Sequence, residues 1–139
     1  MLGSILTGKK PLISVTRETP ISAIAALLHA NRIGAVLVVE SGEILGLVSE
    51  RDICAGLHTH GAGILEAKAA EIMSAPVITA GPSTTVVEAM TTMTDRRFRH
   101  LPVVDKGEIL GLVSIGDLVK RRIEQAEAEA AAMKDYISS

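Results

Sequence analysis

The chain has 139 residues, 47% of them hydrophobic and 22% charged, enough for one domain with a real core or two small packed halves. A net charge of −2 supplies no basic surface for a phosphate backbone, and Phe98 and Tyr136 are too few aromatics for a base-stacking platform. Cys54 stands alone, which excludes an intrachain disulfide and a cysteine zinc site.

The opening MLGSILTGKK lacks the basic and long apolar regions of a signal peptide. No segment approaches the ~20 apolar residues that span a bilayer, so the expectation is a soluble cytoplasmic protein. Residues 12–15, LISV, read as a short extended run. Thr19-Pro20 suits an N-cap and first helical position, and Ile21, Ile24, Ala25 and Leu28 follow at helical spacing. Two β-branched runs come next, AVLVVE and EILGLVS, joined by a Ser-Gly turn that predicts a hairpin. A helix is predicted from the Ser that closes the second run.

GLHTHGAG reads as loop, and ILEAKAAEIM as a short helix. Cys54 is expected on the inner face of its helix. The pair His58 and His60 has no Cys or carboxylate partner nearby and is read as plain loop rather than a metal site. PVIT at 76–79 predicts a strand, and Ser83 or Thr84 a cap for a helix carrying Val86, Val87, Met90 and Met93. LPVVDK and a second EILGLVS form another predicted hairpin, again followed by a helix. Beyond it, Ile123, Ala126, Ala130, Met133 and Ile137 make an apolar stripe at 3,4,3,4 spacing, the pattern of a helix docking on a partner helix.

The octapeptide GEILGLVS occurs at 42–49 and word for word at 107–114, an offset of 65. At that offset residues 12–55 lie on 77–120 without a gap, with substitutions such as Ser14 for Thr79 and Ile21 for Val86. The chain is therefore a duplication of a β-α-β-β-α unit. A dinucleotide-binding reading would need a GxGxxG turn after the first strand, and neither SVTRETP nor TAGPSTT supplies one.

Each octapeptide leads into Ser-x-x-Asp, Ser49 to Asp52 and Ser114 to Asp117. One reading is a capping box, with Ser satisfying a first-turn N–H and the acid complementing the helix dipole. Against it, Asp is short for the reciprocal contact, and the motif recurs while most helix positions diverge. A helix start at a strand's end also offers N–H groups to an anion, and a carboxylate there can accept from two ribose hydroxyls. The copies differ at the two letters before the Asp. Glu50 would repel a phosphate, whereas Ile115-Gly116 would let a ligand approach. The run Asp95 to His100 is the densest basic patch, read either as a solvated helix end or as a phosphate contact.

The unit order, the doubled G-h-h-[ST]-x-x-D ending and the preceding RHLPVVD resemble the cystathionine β-synthase (CBS) domain, here as a tandem pair. The similarity is to small stand-alone bacterial CBS-pair proteins. It implies an α+β fold of two pseudo-two-fold-related repeats over residues 1–122, copy one at about 10–58, a linker at 59–75 and copy two at 76–122. Residues 123–139 would be a C-terminal helix and dimer contact. The likeness implies a regulatory module, not an enzyme, whose clefts bind AMP, ADP, ATP, NAD(H) or S-adenosylmethionine, with AMP or NAD favoured. It places the ribose contacts on Asp52 and Asp117, their hydroxyl partners on Ser49 and Ser114, and first-strand contacts on Ser14, Thr16 and Thr79. The basic positions fall on Arg99 and His100, with Arg97 beside them. The stronger site is expected to use Ser114, Ile115, Gly116 and Asp117 with Ser14, Thr16 and Val36, its adenine held by Ile13, Val36 and Leu101. Ser49, Asp52, Thr79 and Arg97 would form the second. The alternative is a structural dimer or regulatory subunit with vestigial nucleotide sites. No catalytic constellation, metal site, nucleic-acid surface or membrane segment is legible.

Overall fold

The computed structural model describes residues 1–9 and 11–138. Its elements in chain order are α1 (Leu2–Leu6), β1 (Ser14–Val15), α2 (Ile21–Asn31), β2 (Ala35–Glu40), β3 (Glu43–Ser49) and α3 (Glu50–His60). A 3-10 segment, Gly61–Glu66, leads to α4 (Ala69–Ile72), then α5 (Val86–Arg96), β4 (His100–Asp105), β5 (Glu108–Ser114) and the long α6 (Ile115–Ser138). The elements fall into two compact units. One is Pro11–Ile78; the other joins the N-terminal segment to the chain from Thr79 onward.

In the first unit β1 runs parallel to β2, and β2 pairs antiparallel with β3. Strand β2 is therefore central, and its residues Ala35 to Val38 are all buried, as a strand with neighbours on both edges and helices over it requires. Ile21, Ile24 and Leu28 of α2 and Ile53 of α3 close over the same core. Each such side chain contributes roughly 1.5–3 kcal/mol by leaving water. The second unit repeats the hairpin as β4 and β5, with Val86, Ala89 and Met93 of α5 and Leu118 of α6 on its core.

The pseudo-symmetry extends to fine detail. Ser41-Gly42 and Lys106-Gly107 all have positive φ, the conformation of a tight two-residue hairpin turn. The ladders slip at matching places, between Val38 and Val39 and between Val103 and Val104. Helices α2 and α5 both end on a left-handed arginine, Arg32 and Arg97.

The repeat also begins earlier than residue 12. In the first unit Ala69 and Ala70 of α4 donate their N–H groups to the carbonyls of Thr19 and Arg17. In the second, Leu2 and Gly3 of α1 donate to Thr84 and Pro82, the positions 65 further on. Helix α1 thus serves copy two as α4 serves copy one, although it precedes copy one in the sequence. Leu2 and Ile5 are buried in the second unit's core. Arg121 of α6 anchors the same helix, donating to the Ser4 hydroxyl at 2.7 Å and to its carbonyl at 3.4 Å.

Several expectations need correction. GLHTHGAG is not a loop throughout, because α3 runs on to His60 and turns only at Gly61, whose φ of 74° favours glycine. PVIT forms no strand; only a parallel bridge from Ala80 to Val103 holds that edge. The cap of α5 is Thr85, whose Oγ1 accepts from the Glu88 N–H at 3.1 Å, rather than Ser83 or Thr84. Helix α2 begins at Ile21 with Pro20 as its N-cap. Cys54 is exposed, since Ile53 and Gly56 take the inward positions of α3. The tail does not start a new helix at 123 but continues α6.

Candidate functional site

In the second unit the start of β4, the end of β5 and the start of α6 meet at one end of the hairpin. His100 lies opposite Ser114 in the ladder, and the Ile115 N–H donates to the Arg99 carbonyl at 2.8 Å. The structure brings Arg99, His100, Ser114, Ile115, Gly116 and Asp117 to this end of the hairpin, while Ser14, Thr16 and Val36, expected with them, belong to the other unit. Arg99 and Gly116 are exposed, while Ser114 and Asp117 are half-buried.

Asp117 is long enough for the reciprocal contact after all, and this corrects the argument from side-chain length. Its Oδ2 accepts from the Ser114 N–H at 2.8 Å, and its own N–H donates to Ser114 Oγ at 3.2 Å. Asp52 and Ser49 do the same at 2.8 and 3.2 Å. Both Ser-x-x-Asp corners are capping boxes, so each carboxylate is fixed in orientation. That role leaves lone pairs free, because an ionised carboxylate offers about four acceptor positions.

What else reaches each carboxylate differs between the units. Asp52 Oδ2 also accepts from Ser49 Oγ at 3.0 Å, and Oδ1 accepts from the Ser74 hydroxyl at 2.7 Å. On Asp117 the further partner is Lys9, whose ammonium lies 2.5 Å from Oδ2. Partial burial pushes the Asp117 carboxyl up, but the Lys9 contact and the Ser114 N–H outweigh it and hold the group below its ordinary value. Neither Ser74 nor Lys9 was singled out from the sequence. The available signal was the match of Leu2 to Leu6 with Ala69 to Met73, hidden because its offset is 67 rather than 65.

The remaining residues are placed as follows. Ser14 is exposed on β1 opposite Leu37, and Thr16 closes a turn with Thr19, its N–H donating to Thr19 Oγ1 at 3.1 Å. Both lie in the unit of Asp52. Thr79 is exposed ahead of the Ala80 bridge. Arg97 owes its position to the left-handed cap of α5, as Arg32 does for α2. Val36 and Leu101 are corrected as adenine walls: at 0% and 1% exposed, each is sealed in its own core. Gly116 has room, since an added Cβ would meet only Ser114 Oγ at 3.6 Å. In the first unit Gly34, Glu50, His29 and Arg32 help line an open concavity of about 620 Å³.

A β-α-β-β-α unit and a second unit whose first strand is reduced to the Ala80 bridge, each leading its hairpin into a capped Ser-x-x-Asp and completed by a short helix, define a tandem CBS-domain fold. The CBS domain family matches residues 3–59 and 69–124, and the chain belongs to that family. The first match begins within α1 and the second at the start of α4. Among solved structures it is similar to the CBS-domain containing protein ATU1752 of Agrobacterium tumefaciens: 34% identity, TM-score 0.83, covering 87% of this chain and 98% of that one. It is also similar to the CBS domain protein PAE2072 of Pyrobaculum aerophilum, solved as a complex with AMP: 30% identity, TM-score 0.74, covering 84% and 88%. Among curated proteins it is 34% identical over 127 residues to CBSX3 of Arabidopsis thaliana, a mitochondrial protein. That match covers 88% of this chain and 61% of the relative. Among the described residues no helix is long and apolar enough to cross a membrane, and no group of three or more His, Cys, Asp or Glu could hold a metal.

Proposed function

We propose that the chain is a ligand-sensing module that binds an adenine nucleotide, AMP or NAD, with the ribose held by Asp117. The observation that carries this is the state of that carboxylate. It is oriented by Ser114 and Lys9 through Oδ2, while Oδ1 has acceptor capacity for a vicinal diol. A carboxylate accepting from ribose hydroxyls is the chemistry that dinucleotide folds use to hold the ribose. Phosphate would meet Arg99, His100 and the Gly116 N–H, the first-turn donor not taken by Arg99 or Ser114. A relative that holds AMP supports the choice of ligand class. Asp52, with three protein donors on its two oxygens and Glu50 beside it, is the weaker site. Occupancy would be read out because a ligand shifts whichever conformation it binds better.

The test is thermal unfolding with AMP, ADP, ATP and NAD, on the wild type and on Asp117→Ala. Two charge-assisted hydrogen bonds to the ribose are worth roughly 1.5–3 kcal/mol each, so the variant should lose the nucleotide-dependent shift. An unchanged shift refutes the assignment.

A second reading, a structural dimer, is favoured by one feature. Along α6, Ile123, Met133 and Ile137 are 53%, 60% and 75% exposed, an apolar stripe of the kind a second copy would cover. The two readings are compatible, since a dimer can also carry nucleotide. If no adenine ligand changes the melting temperature, the interaction role stands alone.

A further inference from the structure

Lys9 occupies a position that the internal repeat makes interpretable. In the first unit Ser74 follows α4 and makes two polar contacts: its N–H donates to the Leu47 carbonyl at 2.9 Å, and its hydroxyl donates to Asp52. In the second unit Lys9 follows α1 and makes both contacts with one ammonium. It donates to the carbonyl of Leu112, the counterpart of Leu47, at 2.8 Å, and to Asp117. The two carboxylates therefore sit in equivalent places with opposite companions, a neutral hydroxyl and a cation.

The cation is held, not loose. Helix α1 is fixed by two backbone hydrogen bonds, by buried Leu2 and Ile5 and by Arg121, and the Leu112 carbonyl fixes the ammonium itself. With Lys9 the carboxylate pair has no net charge, and an ammonium has three donors, of which these contacts use two. At the other corner Asp52 meets the Ser74 hydroxyl in place of a cation.

Resting on the nucleotide reading above, we propose that Lys9 is the residue that sets the charge preference of the Asp117 site, admitting a phosphorylated nucleoside where an unpaired carboxylate would repel it. It acts by screening and orienting Asp117, so it is a positioning residue for the ribose and a specificity residue for the phosphate. The sequence difference that distinguishes the two sites then lies partly outside the repeated segments, at Ser74 and Lys9, a few residues past each short helix.

The experiment measures the affinities of AMP and of adenosine by calorimetry for the wild type, Lys9→Met and Lys9→Arg, at low and high salt. The expected result is a wild-type preference for AMP that falls about two- to fivefold in Lys9→Met, is restored in Lys9→Arg and shrinks as salt rises. An equal loss for both ligands would show that Lys9 only supports the fold and would overturn the inference, as would an unchanged ratio. Failure of the wild type to bind either ligand would instead overturn the nucleotide reading itself, and this inference with it.

Discussion

The octapeptide is identical in both copies, yet its central glycine should not tolerate substitution equally. An added Cβ on Gly46 would lie 2.5 Å from Met73 Sδ and 2.9 Å from the Ser74 carbonyl oxygen. That oxygen cannot retreat, because Ser74 and the adjacent Leu47 exchange both backbone hydrogen bonds, at 3.0 and 2.9 Å. Overpacking of this kind costs about 1–3 kcal/mol, and loosening the two hydrogen bonds adds to it, so Gly46→Ala should cost about 2–3 kcal/mol. On Gly111 the atoms nearest the Cβ all belong to the Leu6 side chain, 2.7 Å for Cδ2 and 3.4 Å for Cδ1. A half-buried leucine can turn aside for about 0.5–1.5 kcal/mol, and the Gly→Ala change returns about 0.4–1 kcal/mol through the unfolded chain. Gly111→Ala should therefore fall within about 1 kcal/mol of the wild type. Urea denaturation at unchanged slope reads the difference, as a midpoint lower by about 1 M for Gly46→Ala and by less than about 0.5 M for Gly111→Ala. Equal losses, or a larger one at Gly111, would refute the argument that a paired backbone backs one glycine and a side chain the other.

Two further outcomes follow from the site and the tail. The Asp117 carboxyl is held below the ordinary 3.8, so its ionised form contributes stability above that pH and loses it as pH falls through the depressed folded value. The stability difference between the wild type and Asp117→Asn should accordingly be constant from about pH 5 to 7 and shrink below about pH 4; a difference that grew in acid would reverse the sign of the argument. On α6, Ile137→Glu combined with Ile123→Glu should convert a dimer to a monomer in sedimentation velocity without changing the melting of the Pro11–Ile78 unit. A wild type already monomeric at high concentration would exclude the stripe as a self-contact.

The duplication was legible because strands carry their pattern locally. AVLVVE and EILGLVS alternate or saturate in apolar residues, and a Ser-Gly or Lys-Gly turn leaves the chain one conformation in which to reverse. The Ser-x-x-Asp corners were legible as positions, but their geometry was misjudged: a capping Asp reaches the N-cap N–H at 2.8 Å, so capping and ligand recognition are not rival readings of one carboxylate. Contacts between distant segments were not legible. Lys9 and Asp117 are 108 residues apart, and nothing local to MLGSILTGKK says that its helix completes the core of the second copy. Val36 and Leu101 failed as adenine walls for a related reason: an apolar residue on a central strand reads the same whether it lines a pocket or is enclosed by helices.

The crossed helices change what the repeat means for function. A copy defined by sequence, residues 12–55 or 77–120, lacks the polar group that completes its own carboxylate corner. Ser74 and Lys9 both lie outside those spans, each just past a short helix, α4 beside its own copy and α1 far from the hairpin that it serves. Because the second strand of each hairpin lies in the identical octapeptide, it delivers the same Ser to both helix starts and cannot make one corner differ from the other. The distinction has to come from variable positions, and among the described residues the variable side chain that meets each carboxylate lies just past a short helix, Ser74 on Asp52 and Lys9 on Asp117. Ser74 leaves the Asp52 corner with a neutral hydroxyl, whereas Lys9 puts a cation on Asp117. The ammonium beside the Asp117 carboxylate is carried by the segment whose Leu2 and Ile5 lie in the second unit's core, so the corner of copy two is completed by residues that precede copy one in the sequence.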